Sequence, residues 1–338
     1  MTPQILDKPT SEAPAFSIII PHYNTSGLLQ RLLNTIPSRD DTEIIVVDDA
    51  SRQDELKAVR QCCGNRTRQA RLLCRDTNGG GGAARNDAMR AARGRWLMFA
   101  DADDYFLPSL GTVLDRYACN ETYDAVFFPP TGKGSHKSTA DKVAELCMKW
   151  KSDPQKYDNR MRCGFVGPWS KMVKRQFAQE QGLYFYSTRK QNDFPFNIML
   201  GKNLKHFTVD ETPIYCWDRI NTSTSDRYDM QACRDSLWVY AQAIHYLNDM
   251  DTEHFKRIYI HSLCKYILMH PTLIIEGLEE LQQMGCPPER ACRLITDICM
   301  KENATLLKYI IISTPSERLK AECVKALTKA NNHGPAGN

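Results

Sequence analysis

The sequence lacks the features that mark several specialised classes of protein. No apolar run approaches the ~18 residues of a membrane-spanning helix. Its thirteen cysteines are scattered without a CxxC pair, which argues against a zinc site or a disulfide framework and favours a reducing compartment. The net charge of +4 is too small to indicate nucleic-acid binding. The N-terminal stretch "MTPQILDKPTSEAPA" has neither the basic nor the apolar region of a signal peptide, so we expect a cytoplasmic protein.

The composition that remains is that of an ordinary soluble globular protein. The chain has 338 residues, of which 42% are hydrophobic and 25% charged. This length allows one large or two moderate domains, each with a substantial core.

Short apolar runs alternate with helical patterns in the first third of the chain. The runs "FSIII", "EIIVVDDAS", "RLLC" and "RWLMFADADD" have the length and apolar character of buried strands. After the first run, Ser26 is expected to cap a helix. The apolar face of that helix consists of Leu28, Leu29, Leu32, Leu33 and Ile36. The alternation predicts an α/β fold with a mostly parallel central sheet.

A cluster of polar or glycine residues follows each of these strands. The clusters are Asn24, the pair Asp48 and Asp49, the loop "NGGGG", and Asp101–Asp104. Ligands of open parallel sheets bind beyond the carboxyl ends of the strands. We therefore expect these clusters to meet at one edge of the sheet.

The stretch "LMFADADDYF" crowds three acids, Asp101, Asp103 and Asp104, into four positions. Two like charges about 4 Å apart repel by roughly 4 kcal/mol at an effective dielectric constant of about 20. One interpretation is that the aspartates start the turn after a buried strand. The other is a site for Mg²⁺ or Mn²⁺, which prefer oxygen ligands and often share them with substrate phosphates.

The loop "NGGGGAARN" brings backbone amides and a helix N-terminus together, an arrangement that favours an anion such as a diphosphate. Gly79, Gly81 and Ala84 also satisfy the GxGxxA pattern of dinucleotide-dependent oxidoreductases. That pattern belongs after the first strand of a βαβ unit, whereas here it follows the third. An oxidoreductase is therefore the less favoured alternative.

From Met230 onward the pattern is helical. Apolar residues recur at helical spacing in two sets, which are Leu237, Tyr240, Ala241 and Ile244, and Ile260, Leu263, Cys264 and Ile267. This region is interpreted as a packing or homodimerisation element. The alternative is a peripheral contact with the inner face of the cell membrane, because "FKRIYIHSLCKYILMH" mixes basic, aromatic and aliphatic residues as interfacial helices do.

Seven motifs occur in order, and together they resemble the family 2 glycosyltransferases over approximately Phe16 to Ser225. They are "IIIPHYN", "IIVVDDAS", "NGGGGAARND", "MFADADDYF", "GPWSKMVKR", "QNDFPF" and "YCWDRINTSTS". The resemblance implies a GT-A, Rossmann-like nucleotide-sugar-binding fold. With the polar ends of the chain and the helical pattern from Met230, we predict a disordered tail (1–14), a GT-A domain (15–228), a C-terminal α-helical region (229–330) and a second disordered tail (331–338).

The resemblance also implies an activity. It is the inverting, metal-dependent transfer of a hexosyl or hexosaminyl group from a UDP-sugar to an acceptor hydroxyl, with Mn²⁺ or Mg²⁺ as cofactor. Relatives act in bacterial surface polysaccharide, capsule or lipopolysaccharide synthesis, so the expected acceptor is a glycan or a lipid-linked glycan. The alternative is a catalytically inactive nucleotide-sugar-binding or scaffold protein with the same fold.

By resemblance, the first two motifs bind the donor nucleotide. Tyr23 would stack on the base, with Pro21 shaping the end of the strand, or would pack under a loop. Asp49 resembles the aspartate that accepts a hydrogen bond from uracil. Asp48 would serve the ribose or begin the turn.

The glycine loop and a late segment would contact the diphosphate. Gly80 matches the loop glycine of the family, and Arg85 and Asn86 match the arginine and asparagine beside the donor. The alternative for Arg85 is a surface residue of a helix. Arg219 and Ser223 resemble a segment that closes over the diphosphate in some relatives.

"DAD" matches the DxD motif of the family, in which Asp101 would contact the ribose and Asp103 would hold the metal ion. Asp104 is ambiguous and would otherwise cap the following turn.

Asp193 is the candidate general base, although Asn192 stands where the family usually has the first of two acids. The alternative is that Asp193 caps a helix that has proline in its first turn, and one aspartate could do both. At a helix N-terminus the dipole would keep the carboxylate ionised at neutral pH, as a base requires. Trp169 would form a platform for the acceptor sugar or belong to the core.

Overall fold

The computed structural model describes residues 13–64, 70–165, 167–218 and 229–246, together with residues 317, 320, 321, 324 and 325. The chain divides into two compact units, Met1–Thr224 and Ser225–Asn338. In the described residues, the first unit has both strands and helices, and the second contributes one long helix.

The strands and helices alternate through the first half of the first unit. The strands are β1 (Phe16–His22), β2 (Thr42–Asp48), β3 (Arg71–Cys74), β4 (Trp96–Phe99), β5 (Tyr105–Phe106), β6 (Ala125–Phe127), β7 (Thr131–Lys133), β8 (Lys171–Lys174), β9 (Phe207–Val209) and β10 (Tyr215–Asp218). The helices are α1 (Ser26–Thr35), α2 (Gln53–Gly64), α3 (Gly80–Ala91), α4 (Leu110–Tyr117), α5 (Lys137–Ser152), α6 (Pro154–Gly164), α7 (Arg175–Glu180) and α8 (Phe194–Asn203).

In the described part of the chain, seven strands form the main sheet in the order β3-β2-β1-β4-β8-β6-β9. The pairs β1–β2, β1–β4, β2–β3 and β6–β9 are parallel, and only β8 runs antiparallel to its neighbours. The first four strands are those expected from the apolar runs. The predicted α/β class with a mostly parallel sheet is confirmed.

The core lies on both faces of the central strands. Ile18, Val46 and Trp96 are fully buried, one each from β1, β2 and β4. Burial of each large aliphatic side chain contributes about 1.5–3 kcal/mol. On α3, Ala84 and Ala88 are also fully buried, and their small size lets the helix lie close to the sheet. This close packing fixes the position of the glycine loop at the start of α3.

Helix α1 begins at Ser26, the residue that was expected to be its N-cap. Thr25 occupies the N-cap position and Ser26 is already helical, with no side-chain cap bond. The cap comes instead from α2, because Glu55 Oε2 accepts the hydrogen bond from the backbone N–H of Ser26 at 2.9 Å. The Ser26 cap prediction is therefore wrong, and the reason is a contact between residues 29 positions apart.

A small second sheet has the order β5-β10-β7. Strand β10 pairs antiparallel with β5, which directly follows the acidic stretch, and parallel with β7. The sheet therefore attaches a late part of the chain to the turn after β4.

The described helix of the second unit is α9 (Met230–Tyr246). It includes Leu237 and Tyr240, which are buried as the helical pattern predicted. The second helical pattern, from Ile260 to Ile267, and the stretch "FKRIYIHSLCKYILMH" lie outside the described residues. In the described part of the chain, no helix combines the length and the apolar character needed to span a membrane.

Candidate active site

The loop after β1 presents an aromatic side chain to solvent. Tyr23 is 48% exposed, while Pro21 lies within β1 opposite Val47 of β2. Asn24 has a positive φ of 53°, a conformation that Asn adopts more readily than most residues. Its backbone N–H donates to Ser51 Oγ at 2.9 Å, which ties the loop after β1 to the loop after β2. An exposed tyrosine on an anchored loop leaves one ring available for stacking.

Asp48 is buried in a hydrogen-bonded network at the end of β2. The backbone N–H of Thr25 donates to His22 Nε2 at 3.1 Å, so the proton of the neutral ring lies on Nδ1 and is donated to Asp48 Oδ2 at 2.9 Å. Asp48 also accepts from the N–H of Ser51 at 3.0 Å. Burial by itself raises the pKa of Asp48, but these hydrogen bonds outweigh it and hold the pKa below its usual value. Of the two interpretations of Asp48, the turn is the one that the structure matches.

Asp49 binds the glycine loop directly. Its carboxylate accepts from the backbone N–H groups of Gly79 at 3.0 Å and Gly80 at 2.7 Å, and Arg75 Nη1 lies 2.6 Å from Oδ1. The N–H of Asp49 donates to the carbonyl oxygen of His22 at 2.8 Å. Asp49 therefore joins the ends of β1 and β2 to the start of α3.

At two of the four consecutive glycines, the backbone geometry explains why a residue without a side chain is needed. Gly80 has a φ of +82°, in the left-handed region that side chains disfavour. At Gly82, an added Cβ would lie 1.9 Å from the carbonyl oxygen of Tyr186. The second contact shows that the chain around Tyr186 packs directly onto the first turn of α3.

Asn86 fastens the same stretch of chain to α3. Its Nδ2 donates to the carbonyl oxygen of Phe185 at 2.7 Å, and its Oδ1 accepts from the N–H of Phe185 at 2.8 Å. The N–H of Tyr186 in turn donates to the carbonyl oxygen of Asn192 at 3.0 Å. In this arrangement Asn86 holds the segment 183–192, which leads to Asp193.

Arg85 is a buried link between two of the motifs. It is only 7% exposed, so the alternative of a surface arginine is wrong. Nη1 donates to Asn192 Oδ1 at 2.7 Å, and Nη2 pairs with Asp101. The Nε atom is buried and has no hydrogen-bond partner among the residues that the structure describes. Of the two partners of these nitrogens, Asn192 is an uncharged amide and Asp101 is a carboxylate.

Asp104 anchors the small sheet. It is 1% exposed, and its carboxylate accepts from the hydroxyl of Tyr215 at 2.6 Å and from the N–H of Asp218 at 2.8 Å. The hydroxyl oxygen of Tyr215 accepts from the N–H of Asp101 at 3.0 Å. These bonds are to β10, so Asp104 fixes that strand to the acidic turn.

Asp103 is an acid of the cluster whose charged form is disfavoured by its surroundings, so a cation beside it would be stabilising. Burial and the neighbouring charge of Asp101 raise the pKa of its carboxyl group to about 6. Its carbonyl oxygen accepts from Arg31, whose Nη1 also donates to Asp218 at 2.8 Å. Within the described residues, no three His, Cys, Asp or Glu side chains form a metal-binding group. Two carboxylates alone fit a Mg²⁺ or Mn²⁺ ion that is shared with substrate phosphates.

Asp193 stands at the N-cap position of α8 but does not act as a cap. Its side chain makes no cap hydrogen bond, and Pro195 follows in the first turn. Burial raises the pKa of Asp193, while the nearby charge of Arg85 opposes the rise. The expected stabilisation of the carboxylate by the helix is therefore outweighed, and Asp193 is a stronger base than an exposed aspartate.

Trp169 lies in the core. It is 5% exposed, stacks against Tyr215 with ring centroids 5.8 Å apart, and contacts Trp217 at 4.9 Å. Of the two interpretations of Trp169, the core residue is the one that its burial fits, because a sugar platform needs an exposed ring face. Arg219 and Ser223 lie outside the described residues.

Residues 17–182 match the model of glycosyl transferase family 2. The chain carries a family 2 glycosyltransferase domain. The match covers the first four motifs, the fifth motif "GPWSKMVKR" and all strands of the main sheet except β9.

Two curated relatives share this domain. The poly(ribitol-phosphate) beta-glucosyltransferase of Bacillus spizizenii is 39% identical over 94 residues, which are 26% of this chain and 15% of the relative. The uncharacterized glycosyltransferase EpsJ of Bacillus subtilis is 30% identical over 216 residues, which are 60% of this chain and 61% of the relative. The chain therefore spans less than two thirds of either protein.

Solved structures show that the chain has the GT-A fold. Staphylococcus aureus TarS 1–349, in complex with UDP-GlcNAc, is similar with a TM-score of 0.61 at 18% identity, over 92% of this chain and 88% of that one. The mannosyltransferase PcManGT of Pyrobaculum calidifontis, in complex with GDP-Man and Mn²⁺, is similar with a TM-score of 0.53 at 16% identity, over 94% and 87%. The GT-A fold predicted from the motifs is thereby confirmed.

One buried residue of the glycosyltransferase domain was not singled out from the sequence. Lys171 begins β8 and is 1% exposed, and its Nζ donates to Asn197 Oδ1 on α8 at 2.7 Å. The available signal was a lysine that precedes an apolar pair in "KMVK", within the motif "GPWSKMVKR". Its depth depends on the antiparallel placement of β8, which the sequence did not predict.

Proposed function

We propose that the chain is an inverting glycosyltransferase that moves a hexosyl or hexosaminyl group from a UDP-sugar to an acceptor hydroxyl. The observation that carries the proposal is the double contact of Arg85. This residue binds Asp101 of the acidic turn and Asn192, the neighbour of Asp193. A donor-binding motif and the candidate base therefore converge at one buried cation.

In this proposal the nucleotide lies along the ends of β1 and β2. Tyr23 stacks on the base, which its 48% exposure permits, and Pro21 shapes the adjoining strand end. Asp49 accepts from the uracil ring, and this requires part of its bonding to the glycine loop to rearrange. Asp101 contacts the ribose.

The diphosphate lies against the glycine loop. The N–H groups at the start of α3, the conformation of Gly80 and the charge of Arg85 favour an anion there. Asn86 contributes indirectly, because its hydrogen bonds to Phe185 hold the segment 183–192 against α3. Arg219 and Ser223 would close over the diphosphate.

Asp103, with Asp101, would hold Mg²⁺ or Mn²⁺. Such an ion would stabilise the charge that develops on the departing UDP. The raised pKa of the Asp103 carboxyl group supports this assignment, because a neighbouring cation would offset both the burial of this carboxylate and its repulsion with Asp101.

The chemical step is a single displacement with Asp193 as general base. Asp193 takes the proton of the acceptor hydroxyl as its oxygen bonds to the anomeric carbon. The bond from that carbon to the diphosphate oxygen breaks, and UDP leaves with the electron pair. An α-linked donor thus gives a β-linked product.

The acceptor is proposed to be a glycan or a lipid-linked glycan of a bacterial surface polysaccharide. The support is the kind of relative found, including the poly(ribitol-phosphate) glucosyltransferase. Such an acceptor would place the protein in the cytoplasm at the inner face of the membrane. The C-terminal region would serve packing, dimerisation or membrane contact.

The test is a screen of UDP-sugars with Mn²⁺ and candidate glycan acceptors, scored by UDP release and by the anomeric configuration of the product in NMR spectra. The proposal predicts acceptor-dependent release of UDP and a β-linked product from an α-linked donor. A product with retained configuration would contradict the single displacement. Tight UDP-sugar binding without transfer to any acceptor would instead support the inactive scaffold.

A further inference from the structure

Lys171 is a fully enclosed lysine beside the proposed base. Met98 of β4 lies opposite Met172 of β8, so Lys171 sits at the carboxyl end of β4, on the same edge of the sheet as Asp101. Its Nζ donates to the carbonyl oxygen of Phe165 at 2.9 Å. The ammonium group is thus part of the wall behind the active site rather than of the protein surface.

The surroundings of this ammonium group are mostly apolar. Nζ lies 4.3 Å from the ring centre of Phe165 and 5.1 Å from that of Phe127. Burial lowers the pKa of Lys171 to about 7, and among the described residues the nearby titratable groups that oppose this fall are Asp193 on α8 and Cys147 on α5. Burial also raises the pKa of Cys147 to about 12, so this thiol stays neutral. Asp193 is therefore the acid that supplies a counter-charge.

Packing alone does not explain a lysine at this buried position. An apolar side chain of similar volume usually fills such a pocket with equal or better stability, because it avoids the desolvation of an ion. Here the lysine lies where its charged form interacts with a carboxylate that burial itself destabilises. The interaction favours the ionised form of both groups.

Asn197 connects the lysine to the start of α8. Its Oδ1 accepts from Lys171 Nζ at 2.7 Å, and its Nδ2 donates to the backbone carbonyl oxygen of Asp193 at 2.7 Å. Asn197 is 2% exposed, so water does not compete for these bonds. The chain of contacts fixes the backbone that carries the Asp193 side chain.

We propose that Lys171 is a positioning residue for sugar transfer, which acts through Asn197 and Asp193 by holding the base in place and stabilising its carboxylate form. This inference rests on the proposed function, in which Asp193 takes the proton. The alternative is a structural tether for α8 that has no influence on the base.

A double-mutant cycle in the full-length chain separates the two roles. The variants are Lys171→Met, Asp193→Asn and the combination of both. Lys174→Met is the matched control, since Lys174 lies on the same strand but is partly exposed and pairs with Glu121 at 3.1 Å. Steady-state transfer gives kcat and KM for the donor, and thermal unfolding with UDP-sugar binding confirms that each variant is folded.

The proposal predicts that Lys171→Met lowers kcat by about tenfold or more, since misplacing a reacting group by about 1 Å can cost 10²-fold. KM for the donor should stay unchanged, and Lys174→Met should behave as wild type. In the Asp193→Asn background the same change should cost almost nothing, because a residue that acts through the base has no further effect once the base is gone.

Equal losses of kcat in both backgrounds would overturn the proposal and leave Lys171 as a structural tether. An unchanged kcat in Lys171→Met would also overturn it. If Asp193→Asn alone leaves transfer intact, the assignment of the base fails, and the role of Lys171 fails with it. Should Lys171→Met not fold, Asn197→Ala removes the bridge while keeping the lysine, and the same cycle with Asp193→Asn gives the same decision.

Discussion

Arg85 shows how one buried side chain can organise a site whose parts are distant in sequence. Its two nitrogens reach residues 16 and 107 positions away. Asn192 accepts one of these bonds as an uncharged amide, and Asp101 is the carboxylate that pairs with Arg85. A diphosphate at Arg85 would therefore share the charge of this arginine with Asp101.

The role of Arg85 can be tested by comparing two ligands. Arg85→Ala should weaken the binding of a UDP-sugar more than that of uridine, because only the former carries phosphates. Hydrogen bonds to charged groups contribute about 1.5–3 kcal/mol, so a loss of about tenfold or more is expected. Isothermal titration calorimetry measures both affinities. Arg90→Ala is the control, since the Arg90 side chain is 70% exposed on the same helix. Equal losses for the two ligands would show that Arg85 does not contact the diphosphate.

Asp103 is expected to act through a metal ion. Asp103→Ala should weaken UDP binding strongly in the presence of Mn²⁺ and only slightly in its absence, since the ion joins the carboxylate to the phosphates. Titrations with and without Mn²⁺ measure the difference. Equal affinities of wild type and variant in Mn²⁺ would refute the metal assignment.

Asp48 predicts a specific dependence of stability on pH. Its pKa is lower in the folded protein than the ordinary 3.8, so its contribution to the free energy of unfolding is present above about pH 4 and is lost as the pH falls through the folded value. Asp48→Asn should cost about 1–3 kcal/mol at neutral pH, because it disturbs buried hydrogen bonds. It should also flatten the loss of stability below about pH 4.

Urea unfolding at several pH values measures this effect. Asp54→Asn is the matched control, since the Asp54 side chain is 71% exposed and its pairing with Arg52 should contribute little. If the free energy of unfolding depends on pH in the same way for wild type and Asp48→Asn, ionisation of Asp48 does not contribute to stability.

At the scale of elements, the segment 183–192 depends on the first turn of α3. Asn86 holds it by hydrogen bonds, and Gly82 lets its backbone come close. Since this segment leads into α8, the first turns of α3 help to position both the glycine loop and the proposed base. Changes in the loop should therefore affect the chemistry as well as donor binding.

Gly82→Ala tests this dependence. The new Cβ would lie 1.9 Å from the carbonyl oxygen of Tyr186, so the segment must shift. We expect a loss of about 1–3 kcal/mol in the free energy of unfolding and lower transfer activity. Gly111→Ala is the control, because Gly111 lies in α4 with nothing within 4 Å of an added Cβ. That change should leave stability equal or raise it by about 0.5–1 kcal/mol. Similar behaviour of the two variants would show that the contact with Tyr186 is unimportant.

At the scale of the whole molecule, local sequence patterns predicted the parallel half of the sheet well. Strands β1 to β4 are short apolar runs, and each is followed by the polar or glycine cluster of the candidate site. The antiparallel β8 and the small sheet around β10 were not predicted, because their neighbours lie far away in sequence. The same limit explains why Lys171 was missed, as its burial depends on those placements.

The candidate site divides in the same way. Residue types near strand ends indicated the acidic turn and the glycine loop, which the structure brings to one edge of the sheet. Which side chains face a ligand and which hold the backbone depended on tertiary contacts. In the structure, Asp104 and Asn86 form hydrogen bonds to the backbone of other segments. From the sequence alone, the role of Asp104 was ambiguous and Asn86 was assigned to donor binding.

The rate of sugar transfer by Asp193→Asn, measured at saturating UDP-sugar, decides whether Asp193 is the general base. Asparagine preserves the size of the side chain but cannot accept the proton. We expect normal folding, normal UDP-sugar affinity and a loss of about 100-fold or more in kcat, the contribution of a positioned base. Turnover close to that of the wild-type chain would show that Asp193 is not the base.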